Sequence, residues 1–358
     1  MHYVGLVMFA LLLVPIRRVH PSVAWAITAG LVVFLAVYGG GSWDYPGYIE
    51  YYECTRRGNC IDDLADRLEY SFLATATVFG AIFGSAGGPL LVALYSSLAT
   101  AIKVYILRQE CAAFGVALLG YLCIGWLLHD VTQIRVGLAI ALLWLAVRDS
   151  ATFKRNWRAA LWFALAVLTH YSAAVGMVFF LSRRVELTLK FWLVALIAAA
   201  ALGATLAASA PQVTASAFAA YDARLALYAA TLGNVFLTTS QFNVASTSTV
   251  LIVTLCLGQK IKHWTDFEVA SLRCVVIGTL LYMTLYWLPI VGVRVFELLG
   301  AFLPIVGAAA YRTSRRLLVR VAIVVLFVGL FFNTVVRNGL MMDFMLPGQA
   351  QQRLHDAM

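Results

Sequence analysis

The sequence predicts an all-α polytopic membrane protein, and three observations favour this class. Hydrophobic residues make up 62% of the 358 residues, and charged residues make up only 12%. Soluble domains are about 45–50% apolar and about 25% charged. The mean hydropathy is +0.87, and long apolar runs fill the chain in place of the short alternating segments of a β-barrel. We therefore expect one membrane-embedded domain over residues 1–358.

Apolar runs long enough for membrane helices follow one another along the chain. A helix of about 20 apolar residues crosses a bilayer. The runs lie at 3–15, 20–38, 69–85, 86–107, 111–128, 132–147, 159–182, 187–209, 244–258, 269–290, 295–311 and 317–336. The more polar stretches between them predict outward-facing loops at 39–67 and 210–243.

The basic residues between the runs indicate the topology. If each run crosses once, Lys and Arg divide evenly, 13 on each side, against the expected excess on the inner side. If runs 69–85 and 159–182 each enter and leave on one side, the split becomes 18 against 8, with Lys103 counted at the inner membrane edge. We therefore predict about ten transmembrane helices, two re-entrant or non-spanning segments and both termini outside.

Run 159–182 leaves an alternative open. Its 24 residues are also long enough for one tilted span, which would place Arg183 and Arg184 outside. A hairpin needs a break near the sequence THYS, with the freed backbone groups shielded from lipid.

The net charge of +9 is interpreted as a signal of membrane topology and not as a sign of nucleic-acid binding. We also expect no cleavable signal peptide, because no small-residue cleavage site follows the first run.

The first polar loop combines aromatic rings with carboxylates. Pro46 in the sequence SWDYPGYIEYYE suits the first turn of a short helix, which would place the loop tyrosines on one face. One interpretation is an aromatic belt at the membrane interface. The other is a carbohydrate site, in which rings stack on sugar C–H faces and carboxylates accept hydroxyl hydrogen bonds. The candidate residues are Trp43, Asp44, Tyr45, Tyr48, Glu50 and Tyr52.

The cysteines and the absence of metal motifs limit the chemistry. The chain has six cysteines, of which Cys54 and Cys60 share the first loop and predict a disulfide if that loop faces an oxidising compartment. This pair alone is weak evidence for a metal, since no second ligand pair follows. No HExxH, P-loop, GxGxxG or paired CxxC motif is present. Asp44 or Glu69 could contribute to a metal site, but no clustered ligand set supports one, so we expect no metal and no cofactor.

A helix start in the sequence LHDVTQIRVGLA suits an anion. Asp130 and Gln133 fit a capping box, beside His129. Arg135 would then lie in the first turn, where free N–H groups and a guanidinium favour phosphate or diphosphate. The alternative is an ion pair between Asp130 and Arg135, with the guanidinium extended towards water.

Three further ionisable residues stand beside or within apolar runs. Glu69 opens one run, where a surface carboxylate at a helix N-terminus is the simpler interpretation. His170 lies deep in run 159–182, as a base or hydrogen-bond donor or as an interior histidine bonded to a carbonyl. Arg294 begins a run at the outer face as a second cation for a diphosphate, or as the intrahelical partner of Glu297.

Taken together, these segments resemble the EpsG family of Wzy-type polysaccharide polymerases. The matching pieces are GGGSWDYPGYIEYY, EYSFLATATVFG, TQIRVGLAIALLWLA, LTHYSAAVG and, more weakly, GVRVFELL, in the family's order. Val136 departs from the family's frequent Arg-Gln pattern, and the loop insertion with the two cysteines is a second departure. The resemblance implies that the family's functional residues correspond to Asp44, Tyr45, Glu69, Arg135, His170 and Arg294.

The resemblance implies a metal-independent, GT-C-like membrane glycosyltransferase. Such enzymes join oligosaccharide repeat units carried on undecaprenyl diphosphate, at the outer face of a bacterial inner membrane. Expected partners are these lipid-linked oligosaccharides, membrane lipids, and a chain-length regulator and flippase of the same pathway, but no nucleic acid. The alternatives are a lipid-linked oligosaccharide flippase or transporter, a membrane acyltransferase, and a single-sugar transferase that uses a polyprenyl phosphate donor.

The resemblance also suggests roles for the charged residues. Arg135 and Arg294 would bind the diphosphate, since arginines stabilise charge that develops on a leaving group. A base must take the proton of the acceptor hydroxyl, and the catalytic candidates are Asp44, Glu69 and His170. We expect Asp44 or Glu69 to be the base, because both lie where an acceptor sugar could arrive, and His170 to help position the substrate.

Overall fold

The computed structural model describes most of the chain. The described residues are 2–38, 42, 44–58, 69–151, 156–182, 185–221, 241–259 and 261–333. Their regular structure is entirely helical, which confirms the predicted all-α class. Most of the helices coincide with the apolar runs of the sequence.

In the described part of the chain, short 3₁₀ turns and a π-helix lie between some of the α-helices. The α-helices are α1 (His2–Leu13), α2 (Pro21–Tyr38), α3 (Tyr45–Arg57), α4 (Tyr70–Phe83), α5 (Gly87–Glu110), α6 (Phe114–Tyr121), α7 (Ile134–Ala151), α8 (Asn156–Thr169), α9 (Met177–Leu181), α10 (Leu189–Tyr221), α11 (Val244–Leu257), α12 (Asp266–Leu285), α13 (Pro289–Gly300), α14 (Leu303–Thr313) and α15 (Leu317–Phe332). The 3₁₀ turns are Gly84–Ala86, Tyr171–Gly176 and Ile261–His263, and the π-helix is Leu122–Thr132. Helix α10 extends past the predicted run into the loop predicted at 210–243, and residues 222–240 of that loop lie outside the described residues.

Several of these segments are long and apolar enough to cross a membrane. In the described part of the chain they are Tyr70–Glu110, Phe114–Thr132, Leu189–Ala208 and Asp266–Leu285. A fifth arises if Val291–Gly300 and Leu303–Thr313, which meet at a bend of 44°, form one broken span. The helical membrane class is therefore supported, whereas the count of ten spans stays a prediction.

Helices α4 and α5 form a hairpin. The rings of Phe72 and Tyr95 lie 6.0 Å apart, although about 35 Å would separate these residues along one straight helix. The reversal occurs at Gly84, whose φ of +56° is a conformation that glycine adopts without strain. The hydroxyl of Tyr52 donates a 2.5 Å hydrogen bond to the Gly84 carbonyl, so α3 is fixed to this turn.

Run 159–182 folds back on itself at His170. This residue is extended (φ −156°, ψ 116°) between α8 and the following 3₁₀ turn. The rings of Phe163 and Phe180 lie 5.3 Å apart, against about 25 Å in a continuous helix. The Ser71 hydroxyl donates to the Leu168 carbonyl beside the break, so protein and not lipid satisfies that group. The hairpin, and not the single tilted span, is therefore the structure of this run.

Candidate active site

Two residues that are distant in the sequence converge on the carboxylate of Glu69. Arg135 donates through Nη1 to Oε2 of Glu69, and Nδ1 of His170 lies 2.5 Å from Oε1 of the same group. The Glu69 residue is only 4% exposed. The two partners lie 66 and 101 residues away in the chain, so this cluster exists only in the folded protein.

The backbone explains why these side chains are available to one another. Glu69 is extended just before α4, and its side chain makes no capping bond to that helix. Arg135 lies in the first turn of α7, where the helix has just begun. His170 occupies the break after α8 and its backbone is not helical. Each residue therefore stands at a helix terminus, where a side chain can reach across to a neighbouring segment.

Aromatic rings hold the Arg135 guanidinium in place. Its carbon lies 5.7 Å from the Tyr48 ring centroid and 5.5 Å from that of Phe72. The two rings also contact each other, with centroids 6.0 Å apart. Cation–π contacts of this kind contribute about 0.5–2 kcal/mol, most when water is excluded. Tyr48 thus joins α3, in the first polar loop, to the cluster around Glu69.

Asp44 and Arg294 border the cluster on its accessible side. Asp44 is exposed and lies within electrostatic reach of Arg294 and Arg135. The pKa of the Asp44 carboxyl is raised above its ordinary value by loss of hydration, while the two arginines oppose this shift. Arg294 donates to Oε1 of Gln133 at 2.7 Å and to Glu297 at 2.9 Å. The second predicted cation therefore lies beside the start of α7, and its intrahelical pair is formed as well.

Asp130 does not cap a helix, so the predicted capping box is wrong. It lies within the π-helix, is 0% exposed, and bonds to Lys103 and to the hydroxyl of Tyr121. This buried ion pair also excludes the predicted alternative pair with Arg135. The physical reason is the wider π-helix, which turns Asp130 inwards towards α5.

Two neighbours of Asp130 support the start of α7. Gln133 ends the π-helix, and its carbonyl accepts the first hydrogen bond of α7, from Gly137, at 2.8 Å. Its side chain also contacts buried His129. A Cβ at Gly137 would collide with Asp130 and with the His129 carbonyl. His129 and Gln133 therefore support the segment that carries Arg135.

Lys103 is the residue of this region whose role sequence reasoning missed. The interpretation of the charges assigned it to the inner membrane edge, whereas it is 1% exposed inside the protein. The available signal was its position within the apolar run 86–107, since an ionisable residue there usually has a buried partner.

The remaining residues of the first loop are divided between packing and surface positions. Tyr52 is 1% exposed, and its ring packs against Gly87 and Gly88 at the start of α5, so its predicted contact with sugar does not fit the structure. Tyr45 is half-buried, and Glu50 is exposed on the far side of α3.

Two predictions for this loop depend in part on residues outside the described set. Trp43 is one of those residues, so its predicted contact with sugar stays a prediction. Cys54 is disulfide-bonded, and its predicted partner Cys60 also lies outside the described residues. In the part of the chain that the structure describes, no group of three or more His, Cys, Asp or Glu residues is placed to hold a metal ion.

The comparison with known proteins identifies one family. The model of the EpsG family matches residues 22–349, a range that contains the whole cluster from Asp44 to Arg294. No curated protein and no solved structure matches the chain. The match covers most of the chain, and the chain therefore belongs to the EpsG family, a family of Wzy-type, exopolysaccharide-polymerase-like proteins.

Proposed function

We propose that this protein polymerises oligosaccharide repeat units carried on undecaprenyl diphosphate into a surface polysaccharide, by glycosyl transfer at the periplasmic face of a bacterial inner membrane. The family supports a polysaccharide-polymerase role. The observation that carries the proposal is the convergence of Arg135 and His170 on Glu69. It places a cation suited to a diphosphate beside a group that can hold a proton.

The two arginines suit the leaving group. As the glycosidic bond to the donor lipid breaks, negative charge develops on the diphosphate. Arg135 is fixed by Glu69 and two aromatic rings. Arg294 donates a 2.7 Å hydrogen bond to Gln133, and Gln133 precedes Arg135 by two residues in the chain. Fixed cations stabilise such charge without reorganisation, and arginine binds phosphate oxygens in a bidentate way. No metal is needed for this role.

The contacts of Glu69 change the expectation for the base. Both of its carboxylate oxygens have cationic or N–H partners, and a carboxylate in this state is a poor proton acceptor. When Nδ1–H of His170 donates to Glu69, Nε2 keeps its lone pair, and the carboxylate orients the imidazole so that Nε2 can accept a proton. We therefore favour His170 as the base, with Asp44 as the remaining carboxylate candidate and Glu69 as the orienting group.

Substitutions of these residues, compared at matched expression, separate the proposed roles. We expect His170→Ala to lower chain growth by about 10²–10⁴-fold, the usual contribution of a general base. Glu69→Gln is expected to lower it strongly as well, because both partners lose their charged acceptor. The comparison is a polymerisation assay with Asp44→Asn in parallel and Glu186→Gln, an exposed carboxylate, as the control. Full activity of His170→Ala together with loss in Asp44→Asn would transfer the base to Asp44.

The proposed architecture is GT-C-like, with about ten spans and the Glu69 cluster facing outwards. Glu50 and Arg316 are both exposed and are expected on opposite sides of the membrane. Each is replaced by cysteine in a variant that lacks Cys54 and Cys60, and spheroplasts are treated with an impermeant thiol reagent. We expect label at position 50 in intact spheroplasts and label at position 316 only after permeabilisation. The reverse pattern would show that the cluster faces inwards.

One assay tests the reaction itself. The purified full chain, reconstituted with lipid-linked repeat units, is expected to produce a ladder of progressively longer chains. A flippase would move the lipid-linked units without extending them. A single-sugar transferase would add one unit and stop. Either of these two results would refute the polymerase proposal.

A further inference from the structure

A basic cavity lies at the opposite end of the protein from Glu69. It has a volume of about 500 Å³ and is lined by Arg17, Arg18, Arg312 and Arg320. Arg312 donates to Glu268. Both Glu268 and Arg148 interact electrostatically with Glu110. These groups mark the far end of α7, about 20 Å along that helix from Arg135. The cavity is therefore separate from the candidate active site.

Two of the four guanidinium groups are fixed in place. Arg312 donates to Glu268 at 2.6 Å and to the His263 carbonyl at 3.3 Å. Nε of Arg320 donates to the carbonyls of Tyr311 and Ser314 at 3.2 and 2.9 Å. Glu268 offsets the charge of Arg312, and no acidic residue is among those that line the cavity. The cavity thus keeps an excess of positive charge on a partly rigid frame.

The segment that carries Arg17 and Arg18 is hydrogen-bonded to the start of α6. The backbone N–H groups of Phe114 and Gly115 donate to the carbonyls of Arg17 and Ile16, both at 3.1 Å. A Cβ at Gly115 would collide with the Leu13 carbonyl, so the close approach of this segment requires glycine. The backbone that carries Arg17 is therefore held in position, while its side chain and that of Arg18 are exposed and free to meet a ligand.

Exposed leucines lie two or three residues along the chain from Val14 and Arg320, which line the cavity. Leu12 is 76% exposed, Leu317 is 73% exposed and Leu318 is 83% exposed. In a membrane protein such side chains face acyl chains, so the arginines stand at the level of the lipid headgroups. A soluble anion would gain nothing from the adjacent apolar surface, whereas a phospholipid would use both. Basic pockets between membrane helices are known to bind anionic lipid headgroups.

We infer that this cavity binds the phosphate-containing headgroup of an anionic phospholipid, with the acyl chains lying against the exposed leucines. The inference is independent of the proposed glycosyl transfer, since it uses none of the residues around Glu69. It assigns a lipid site to the end of the protein that carries the basic residues.

The test is a binding titration of the purified full chain in a neutral detergent. A fluorescent phosphatidylglycerol is the probe, and displacement is measured with unlabelled phosphatidylglycerol, phosphatidylcholine, glycerol 3-phosphate and inorganic phosphate. We expect displacement by phosphatidylglycerol alone. Arg17→Gln with Arg18→Gln is expected to weaken binding about thirtyfold, as the loss of two cationic contacts predicts.

Arg315→Gln with Arg316→Gln is the matched control, because these two arginines are exposed nearby and are not among the residues lining the cavity. It is expected to bind the probe as the native chain does. Size-exclusion profiles and thermal midpoints without lipid verify that both double variants fold. Equal weakening in the control pair would overturn the site. Equal displacement by phosphatidylcholine would overturn the choice of an anionic lipid, and displacement by glycerol 3-phosphate or inorganic phosphate would assign the cavity to a soluble phosphate.

Discussion

Replacing Arg135 by alanine is expected to reduce polysaccharide chain growth by about 10²–10³-fold at native protein level, as the loss of one fixed donor to a developing anion predicts. The structure gives two reasons for this size. The guanidinium is 16% exposed and is paired with Glu69, so its charge acts in surroundings that contain little water. It is also held against the rings of Tyr48 and Phe72, so its position is fixed before substrate binds.

The lysine variant distinguishes shape from charge. Arg135→Lys keeps the positive charge but loses the planar group that stacks on the rings and binds in a bidentate way, so we expect little recovery. Arg148→Ala is the matched control, because Arg148 lies on the same helix, is paired with Asp149 and faces the ring of Tyr105. It is expected to retain polymerisation. Normal chain growth by Arg135→Ala would remove Arg135 from the site.

The second large effect concerns stability and comes from the buried pair of Lys103 and Asp130. Lys103→Met is expected to lower the free energy of unfolding by about 3–5 kcal/mol, because it leaves the Asp130 carboxylate buried without its cation. Both side chains are almost fully enclosed, at 2% and 0% exposure. The measurement is the denaturant midpoint of the purified protein in detergent, followed by tryptophan fluorescence.

A double-mutant cycle shows whether the cost comes from the pair. When Lys103→Met is combined with Asp130→Asn, no charge is left unpaired, and we expect the double variant to lose much less than the sum of the two single losses. Lys190→Met is the control, because Lys190 is exposed and its replacement should change stability by less than about 0.5 kcal/mol. A loss in Lys103→Met no larger than in Lys190→Met would show that the buried pair contributes nothing.

Hydrophobic runs were sufficient to predict much of the fold. Run 20–38 became helix Pro21–Tyr38, and run 244–258 became Val244–Leu257. The charge bias between the two sides favours a break in run 159–182, but the length of the run equally permits one tilted span, so the sequence alone does not decide between them. The π-helix could not be predicted, since its wider hydrogen bonding has no sequence pattern distinct from that of an α-helix.

The candidate site was predictable as a set of residues and not as an arrangement. Asp44 is indicated by the aromatic rings and carboxylates of the first loop, Arg135 by a helix start, and Glu69 and His170 by their positions beside or inside apolar runs. That Arg135 pairs with Glu69 and not with Asp130 could not be inferred, because Lys103 was assigned to the membrane edge. The burial of Tyr52 was missed for a similar reason, since the spacing of the tyrosines predicts a shared face but not what covers it.

The single carboxylate of Glu69 has a consequence for the timing of the proposed reaction. Arg135 and His170 share one negative charge, so neither partner holds it fully while the other is present. A bound diphosphate would draw Arg135 towards itself and leave more of that charge to the imidazole. The acceptor hydroxyl would then lose its proton most readily when the donor lipid is bound. Deprotonation of the acceptor would thus be coupled to binding of the donor. Substitutions at Arg135 and His170 would accordingly not act independently, and their combined effect on chain growth would differ from the product of the two single effects.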